Sequence, residues 1–575
     1  MKKFFCTSVA LGTLAIINSA IAADLPVKAT PPSPPIALWS WTGFYIGGHV
    51  GGGAGNARFS DPFGASIFGD NVSTPFFLAG GQVGYNYQSG QWVFGVEGDA
   101  SAVVSDGTNT CLAFSGFSIS SNCHANPDFL ATVTGRLGYA LGADGHTLVY
   151  AKGGAAFVNT QGDVLANNEF FGFFPQFGTH FSTTKTGWTV GVGLEQALAP
   201  AWSLKFEYNY INVDGPSVAT PPSIFFPPLG VVLANQTSVR NEFHVAKVGV
   251  NYHFGADPWA QWGSPAAAAL PVKALPPAVR FAGGWEGDGG ARVWFSSGKF
   301  QWDNSAVPSI PADPRVLESR LTYDGLSGVS EELFGRLDSP WNVFVKGNVG
   351  IGGFDRGHVN DEDWGILGLV SYSNTLSDER NGKFDYGTID IGYDLWRTAT
   401  AKIGPFVGYN RYTQRSDSFG CIQIANPLLP CLAPGDNRAV ATQDTTWDSL
   451  RVGAAAETMF LDRWKLTADI AYIPYTSFSG RDNHLLRAVT TFFDQTGTGQ
   501  GIQLEGILSY FVTPNFSIGA GARYWAMWTT SGSFTCTGCG GAGVVSGPEQ
   551  AKYNTERWGA FLQAAYRFDV NAAYH

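Results

Sequence analysis

The chain has 575 residues, of which only 14% are charged; its formal net charge is −11, and it carries 73 Gly, 42 Phe, 21 Tyr and 18 Trp. The negative balance argues against a nucleic-acid partner. Few charges beside many aromatics suit strands that turn apolar faces to lipid, and do not suit a soluble helical fold.

Lys2 and Lys3 precede an apolar stretch through Ile17, and Ala20-Ile21-Ala22 supplies a small-residue cleavage site. Residues 1–22 therefore read as a signal peptide. No later stretch holds about 18 uncharged apolar residues, so no spanning helix is expected. Export without one predicts a periplasmic, secreted or outer-membrane β protein. Asp24-Leu-Pro-Val-Lys-Ala29 returns as Ala269-Leu-Pro-Val-Lys-Ala274, each followed by prolines. Both copies read as extended segments: a lead-in over 23–40 and a linker over 255–284.

Between them, 41–254 is predicted to form eight antiparallel strands, near 42–54, 77–88, 91–103, 129–141, 146–159, 184–197, 201–213 and 241–254. In the last, Ala246, Val248, Val250, Tyr252 and Phe254 share one face, opposite Lys247, Gly249, Asn251 and His253. That is the alternation of a barrel wall with lipid outside and a polar interior. Short connections such as 142–145 alternate with long ones at 55–76, 104–128, 160–183 and 214–240, the rhythm of periplasmic turns and external loops. A soluble lipocalin-like or sandwich fold also alternates but does not require long loops at one end only. An eight-stranded barrel is narrow enough to be filled by its own side chains, so His49 and His253 read as interior polar residues.

Residues 285–570 repeat the logic with ten strands, near 288–303, 314–338, 341–354, 383–397, 401–419, 446–461, 463–479, 499–513, 515–530 and 555–569. Loops 304–313, 355–382, 420–445, 480–498 and 531–554 are then external. The fold class is all-β, two transmembrane barrels in tandem; a single eighteen-stranded channel competes, and the Pro-rich break argues against it. Of seven cysteines, Cys6 lies in the signal. The pairs Cys111/Cys123, Cys421/Cys431 and Cys536/Cys539 fall in external loops and are expected as disulfides in an oxidising compartment. Zinc at Cys536/Cys539 lacks a second ligand pair nearby.

Two external segments carry candidate chemistry: Asn360-Asp361-Glu362-Asp363-Trp364 and Arg481-Asp482-Asn483-His484. In an extended segment residues i and i+2 share a side, so Asp361 with Asp363, and Asp482 with His484, can face one another across a barrel mouth. An Asp beside a His fixes its tautomer and stabilises its imidazolium, which suits a general base. Two close carboxylates can hold a water and share a proton. Against this, Asp-x-Asp in a polar loop is commonly a solvated turn or a weak Ca²⁺ site. His358, Asp361, Asp363 and His484 also offer metal ligands.

Over about 285–570 the chain resembles the omptins, ten-stranded outer-membrane endopeptidases, on Asp361-Glu-Asp363-Trp364 and Asp482-Asn-His484, with support from Glu318-Ser-Arg-Leu-Thr-Tyr323, Gly408-Tyr409 and Tyr510-Phe-Val-Thr-Pro-Asn515. The resemblance implies catalytic roles for Asp361, Asp363, Asp482 and His484: direct attack of water on peptide substrates at the cell surface, with no metal or organic cofactor but with lipopolysaccharide required. It departs from family members that cut between basic residues, whose acidic specificity positions fall on Ala291 and Gly480 here; cleavage at dibasic sites is not expected. Arg411, Tyr412 and Arg415 are candidates for the lipopolysaccharide contact on the outer wall. The first half resembles the small eight-stranded, porin-like barrels of alphaproteobacteria, on Trp41-Thr-Gly-Phe-Tyr-Ile-Gly-Gly48 and Val248-Gly-Val-Asn-Tyr-His-Phe254. The expected location is the outer membrane. The alternative function is a non-enzymatic surface protein for adhesion or envelope integrity.

Overall fold

A computed structural model describes residues 39–114, 119–142, 144–167, 178–225, 230–254, 279–305, 315, 317–364, 372–425, 431 and 437–569. The signal peptide lies outside the described residues, as do 23–38 of the lead-in and 255–278 of the linker.

The first unit comprises β1 (Gly43–Phe59), β2 (Asn71–Ser89), β3 (Trp92–Ser105), β4 (Thr108–Phe114), β5 (Ile119–Leu141), β6 (Thr147–Ala166), β7 (Gly178–Ala199), β8 (Trp202–Ala219), β9 (Ser223–Phe225), β10 (Gly230–Val232) and β11 (Gln236–His253). Antiparallel pairings run β1–β2–β3–β5–β6–β7–β8–β11 and return to β1, a closed ring of eight. β4 folds back on the outer end of β5. Along β11, Lys247, Asn251 and His253 are buried while Tyr252 and Phe254 are exposed, as the alternation requires. The lumen is filled by a balanced ionic cluster. Lys152 Nζ lies 2.8 Å from Glu97 and 2.9 Å from Glu207, Arg136 2.8 Å from Glu195, and Lys247 2.7 Å from Asp99. Buried charges persist when paired in this way, and the packing closes the bore. His49 is interior, bonded to Gln82 and Ser101.

The second unit comprises β12 (Glu286–Asn304), β13 (Ser319–Asp324), β14 (Gly328–Asp338), β15 (Val343–Phe354), β16 (His358–Asp363), β17 (Ser373–Tyr393), β18 (Trp396–Arg397), β19 (Ala401–Ala425), β20 (Ala439–Phe460), β21 (Trp464–His484), β22 (Thr491–Phe511), β23 (Phe516–Thr537) and β24 (Val545–Asp569). The ring β12–β14–β15–β17–β19–β20–β21–β22–β23–β24–β12 closes with ten strands. Two separate rings rule out the eighteen-stranded channel. The single strand predicted over 314–338 is two: the chain turns at Gly325, φ +65°, a left-handed conformation that glycine adopts without strain. β14 pairs with the lower half of β12 and β13 with its tip. β13 and β16 then fill the wall between β12 and β17.

The turn ends of the strands match the sequence reading closely; the loop ends do not. β19 and β24 reach 25 residues each, where about 9–11 cross a bilayer. The wall therefore rises well past the lipid. Toward its upper side the exposed band carries Tyr409, Tyr475 and Trp558, aromatics as expected at a membrane interface, and above them the exposed large apolar residues thin out to Ile422, Leu485, Val544 and Val545.

The barrels stand side by side with like ends together. Trp202 meets Trp396 at the short-turn end, ring centroids 5.4 Å apart. Thr110 Oγ1 donates to Glu362 Oε2 at 2.8 Å at the loop end. Between these points Leu204, Phe206 and Val248 pack with Ile470, Ile502 and Leu504. Val248 is lipid-facing by alternation but 3% exposed, because the second barrel covers it. All three expected disulfides form, with Cα–Cα separations of 5.8, 5.8 and 5.9 Å for Cys111–Cys123, Cys421–Cys431 and Cys536–Cys539.

Candidate active site

Neither motif lies in a loop. Asp361 and Asp363 sit on β16, and Asp482 and His484 end β21. Their position above the membrane follows from strand rise. Asp482 is seven residues beyond Tyr475 on the same strand, roughly 20 Å at about 3.3 Å per residue.

Period-two alternation then delivers the side chains. Asp361 is flanked across the sheet by Leu321 and Thr375, and Leu321 by Trp302, so Trp302, Leu321, Asp361 and Thr375 form one row on the lumen face. Asp363 lies one step higher, level with Ser319 and Ser373. On the opposite wall His484 Nε2 and Asp482 Oδ2 are 3.0 Å apart. Asp482 is fully buried, and its Oδ1 has no protein partner among the described residues, which leaves one acceptor for a water or a substrate donor. The His484 ring rests on Phe493 at 5.0 Å. Phe493 in turn meets Trp302 at 5.3 Å and Phe534 at 5.7 Å. Tyr323, Phe478 and Tyr553 continue this aromatic layer downward, so the carboxylates stand on an apolar floor that water penetrates poorly.

That floor explains the electrostatics. Burial pushes Asp361 up to about 6, opposed by the charge on His484 and assisted by that on Asp482. Burial and then the neighbouring Asp361 charge push Asp363 up to about 8, against a hydrogen bond from Ser319. Near neutrality these shifts favour one proton retained by the two carboxyls, chiefly on Asp363. For His484, burial favours the neutral ring, but the Asp482 charge and hydrogen bond outweigh it and the net shift is upward. These mutual influences place Asp361, Asp363, Asp482 and His484 within electrostatic range of one another in the upper lumen. Tyr323 lies between the walls: burial, then Asp482, Glu379 and Asp361, raise its phenol well above the ordinary range.

Several expectations need correction. Ala291 lies low on the wall, paired with Leu333 and Ala564, and is exposed outward, so it belongs to no pocket. The β12 residue that reaches the mouth is Trp302. Gly480 does lie on the lumen side of β21, but a Cβ there would meet Gln495 Oε1 at 2.6 Å and Asp444 O at 2.9 Å, so no acidic side chain fits without displacement. Tyr412 is 1% exposed and turns inward, where its hydroxyl accepts from Arg557 at 3.0 Å; it is no part of an outer-wall site. Arg411 and Arg415 are exposed, paired with Asp448 and Asp417. His358 is three residues from Asp361, so alternation sends it to the other face and the metal set His358, Asp361, Asp363 and His484 does not assemble. Among the described residues, three potential ligands converge only at Glu97, Asp99 and Glu207, which Lys152, Lys205 and Lys247 already occupy.

Trp302, Tyr323, Glu362 and Arg487 bear on the site without a sequence signal that marks them. Alternation alone assigns Glu362 to the face opposite its neighbours. Arg487, whose guanidinium lies 5.7 Å from the Phe493 ring centre, acts on Asp361, Asp363 and His484 through a loop conformation that no sequence pattern encodes.

Residues 27–254 match the outer membrane protein β-barrel domain family. The 31 kDa outer-membrane immunogenic protein of Brucella melitensis is 29% identical over 260 residues, 43% of this chain and 99% of that one. The 22 kDa outer membrane protein of Rhizobium leguminosarum is 33% identical over 176 residues, 30% of this chain and 64% of that one. Both are named as outer-membrane proteins, in agreement with the family match, and the protein resides in the outer membrane. Among solved structures, the outer membrane protease OmpT of Escherichia coli aligns with 49% of this chain and 97% of its own, at 11% identity and a TM-score of 0.41. A likeness at that level carries no argument about activity, which rests on the side chains.

Proposed function

We propose that the second barrel is an omptin-like endopeptidase whose Asp482–His484 dyad activates a water at the outer mouth. His484 takes the water proton while Asp482 holds the ring and stabilises its charge. Asp361 and Asp363 position the water by hydrogen bonds, and their retained proton is placed to support the oxyanion as hydroxide adds to the peptide carbonyl. His484 then returns its proton to the departing amine, so a carboxylic acid and an amine leave and no acyl-enzyme forms. The observation that carries this reading is the 3.0 Å His484–Asp482 contact standing over an apolar floor, with Asp361 and Asp363 within electrostatic range of the His484 ring.

With Trp302 at the mouth and Gly480 unable to take an acid, nothing at these positions favours Arg or Lys in the substrate. The test uses the full chain in lipopolysaccharide-containing detergent with a peptide library. Wild type should cleave, and His484→Ala and Asp482→Asn should each lose on the order of 10²–10⁴-fold in kcat. Equal activity from all three, or none from wild type, rejects the dyad.

A further inference from the structure

The face of β16 turned away from the mouth is not solvent. Asp303, Arg320, Glu362 and Asn374 form a row across β12, β13, β16 and β17, lying between the levels of Asp361 and Asp363 on the other side of the wall. All four are buried, Arg320 and Glu362 at 0% exposure. What covers them is the β4–β5 hairpin of the first barrel. Arg320 donates to Thr110 and Thr108 Oγ1 at 3.1 Å each, to Asn122 Oδ1 at 2.8 Å, and to both Asp303 oxygens at 2.7 and 2.8 Å. Thr110 Oγ1 in turn donates a hydrogen bond to Glu362, and Trp364, next after Asp363, donates from Nε1 to Ser120 Oγ at 2.8 Å. The hairpin is itself closed by Cys111–Cys123.

From this we infer that the first barrel is a positioning partner of the candidate site: its β4–β5 hairpin sets the placement of Asp361 and Asp363 by gripping the opposite face of the β13–β16 pair, Thr110 at Glu362 and Arg320, Asn122 at Arg320 and Ser120 at the adjoining Trp364. The inference rests on the endopeptidase reading for its catalytic consequence but not for its geometry. β16 has six residues and is backed on one side only by the equally short β13, whereas an errant carboxylate at a reacting centre is costly: a misplacement of about 1 Å removes on the order of 10²-fold in rate. Buried polar groups satisfied from the neighbouring barrel supply the missing constraint. The bonds of Thr110 and Asn122 run to Arg320 on β13 and Glu362 on β16, not to the dyad or the carboxylate pair, so they act through these two strands.

The test uses the full chain with Thr110→Val/Asn122→Leu, and with Thr110→Ser as the conservative control that keeps the hydroxyl. Two properties are read: kcat and KM for peptide cleavage, and the pH midpoint of His484 modification by diethyl pyrocarbonate, followed by mass spectrometry. Heat-modifiable gel mobility checks folding; Glu362→Ala replaces the double variant if the latter does not fold. Expected are a loss of roughly 10-fold or more in kcat with KM nearly unchanged, a lower His484 midpoint as Asp361 moves away, and near wild-type behaviour from Thr110→Ser. A folded double variant with unaltered kcat and midpoint overturns the inference. If wild type does not cleave but the midpoint still falls, the positioning role stands and the endopeptidase reading is lost; no cleavage and no shift sinks both.

Discussion

Replacing Arg320 by Met removes the centre of the contact between the barrels while keeping most of the side-chain volume. Arg320 is wholly buried and makes a two-pronged pair with Asp303, 2.7 and 2.8 Å, besides its three bonds to the first barrel. In Arg320→Met, Asp303 stays buried with Gln301 Nε2, at 2.9 Å, as its remaining donor. Stranding one partner of a buried pair costs about 3–5 kcal/mol. The loss falls on the outer end alone, since the membrane-embedded strands keep their own pairings. The assay is hydrogen exchange by mass spectrometry on the reconstituted protein. Amides of 319–324 and 358–363 should exchange roughly 10²–10³-fold faster, at about 1.4 kcal/mol per tenfold, with peptides from β14 and β15 unchanged. Asp303→Leu combined with Arg320→Met removes both charges and should restore most of the protection. Unaltered exchange in Arg320→Met, or a double variant worse than the single one, would refute the reasoning.

Cleavage should follow a narrow bell in pH. His484 works as a base only when neutral, so activity rises through its pKa, which lies above the usual 6.5; it falls as the carboxylate pair loses its retained proton near 8. Asp361→Asn removes one charge that raises His484, so residual activity in that variant should keep its acidic limb at lower pH; a limb that stays put contradicts the assignment. Planar bilayers should show no steady conductance, because paired charges fill the first lumen and Arg292, Arg523, Glu332 and Glu505 cross the second; discrete openings would contradict this packing. Chelators should leave kcat within about twofold, general acid–base chemistry needing no ion, and abolition by a chelator with recovery on adding metal would replace the mechanism.

Much of the architecture was legible in the residues. Strand starts and ends at the turn side came out within a few positions, because short turns such as 142–145 bound the apolar alternation sharply. At the outer side the reading stopped short. Above the lipid a strand no longer needs an apolar outer face, so 373–382 and 480–484 read as polar loop although their backbones continue the ladder. The two motifs were recognised and their side-sharing was correct, since i and i+2 meet on either assignment. Ala291 misled because counting from a strand's start says nothing about its height in the barrel, and Tyr412 because an aromatic near the rim is as easily interior as exterior.

By itself the sequence determined an exported all-β chain, two strand sets of eight and ten, three local cysteine pairs and two carboxylate-bearing segments; these depend on composition, period-two patterning and spacing along one strand. Only the tertiary structure decided that the segments come within electrostatic range above an aromatic floor, and that the first barrel grips the reverse of the β13–β16 pair. Thr110 and Glu362 are 252 residues apart and bonded, a relation fixed by ring closure and by how two curved walls pack, and no local pattern records it.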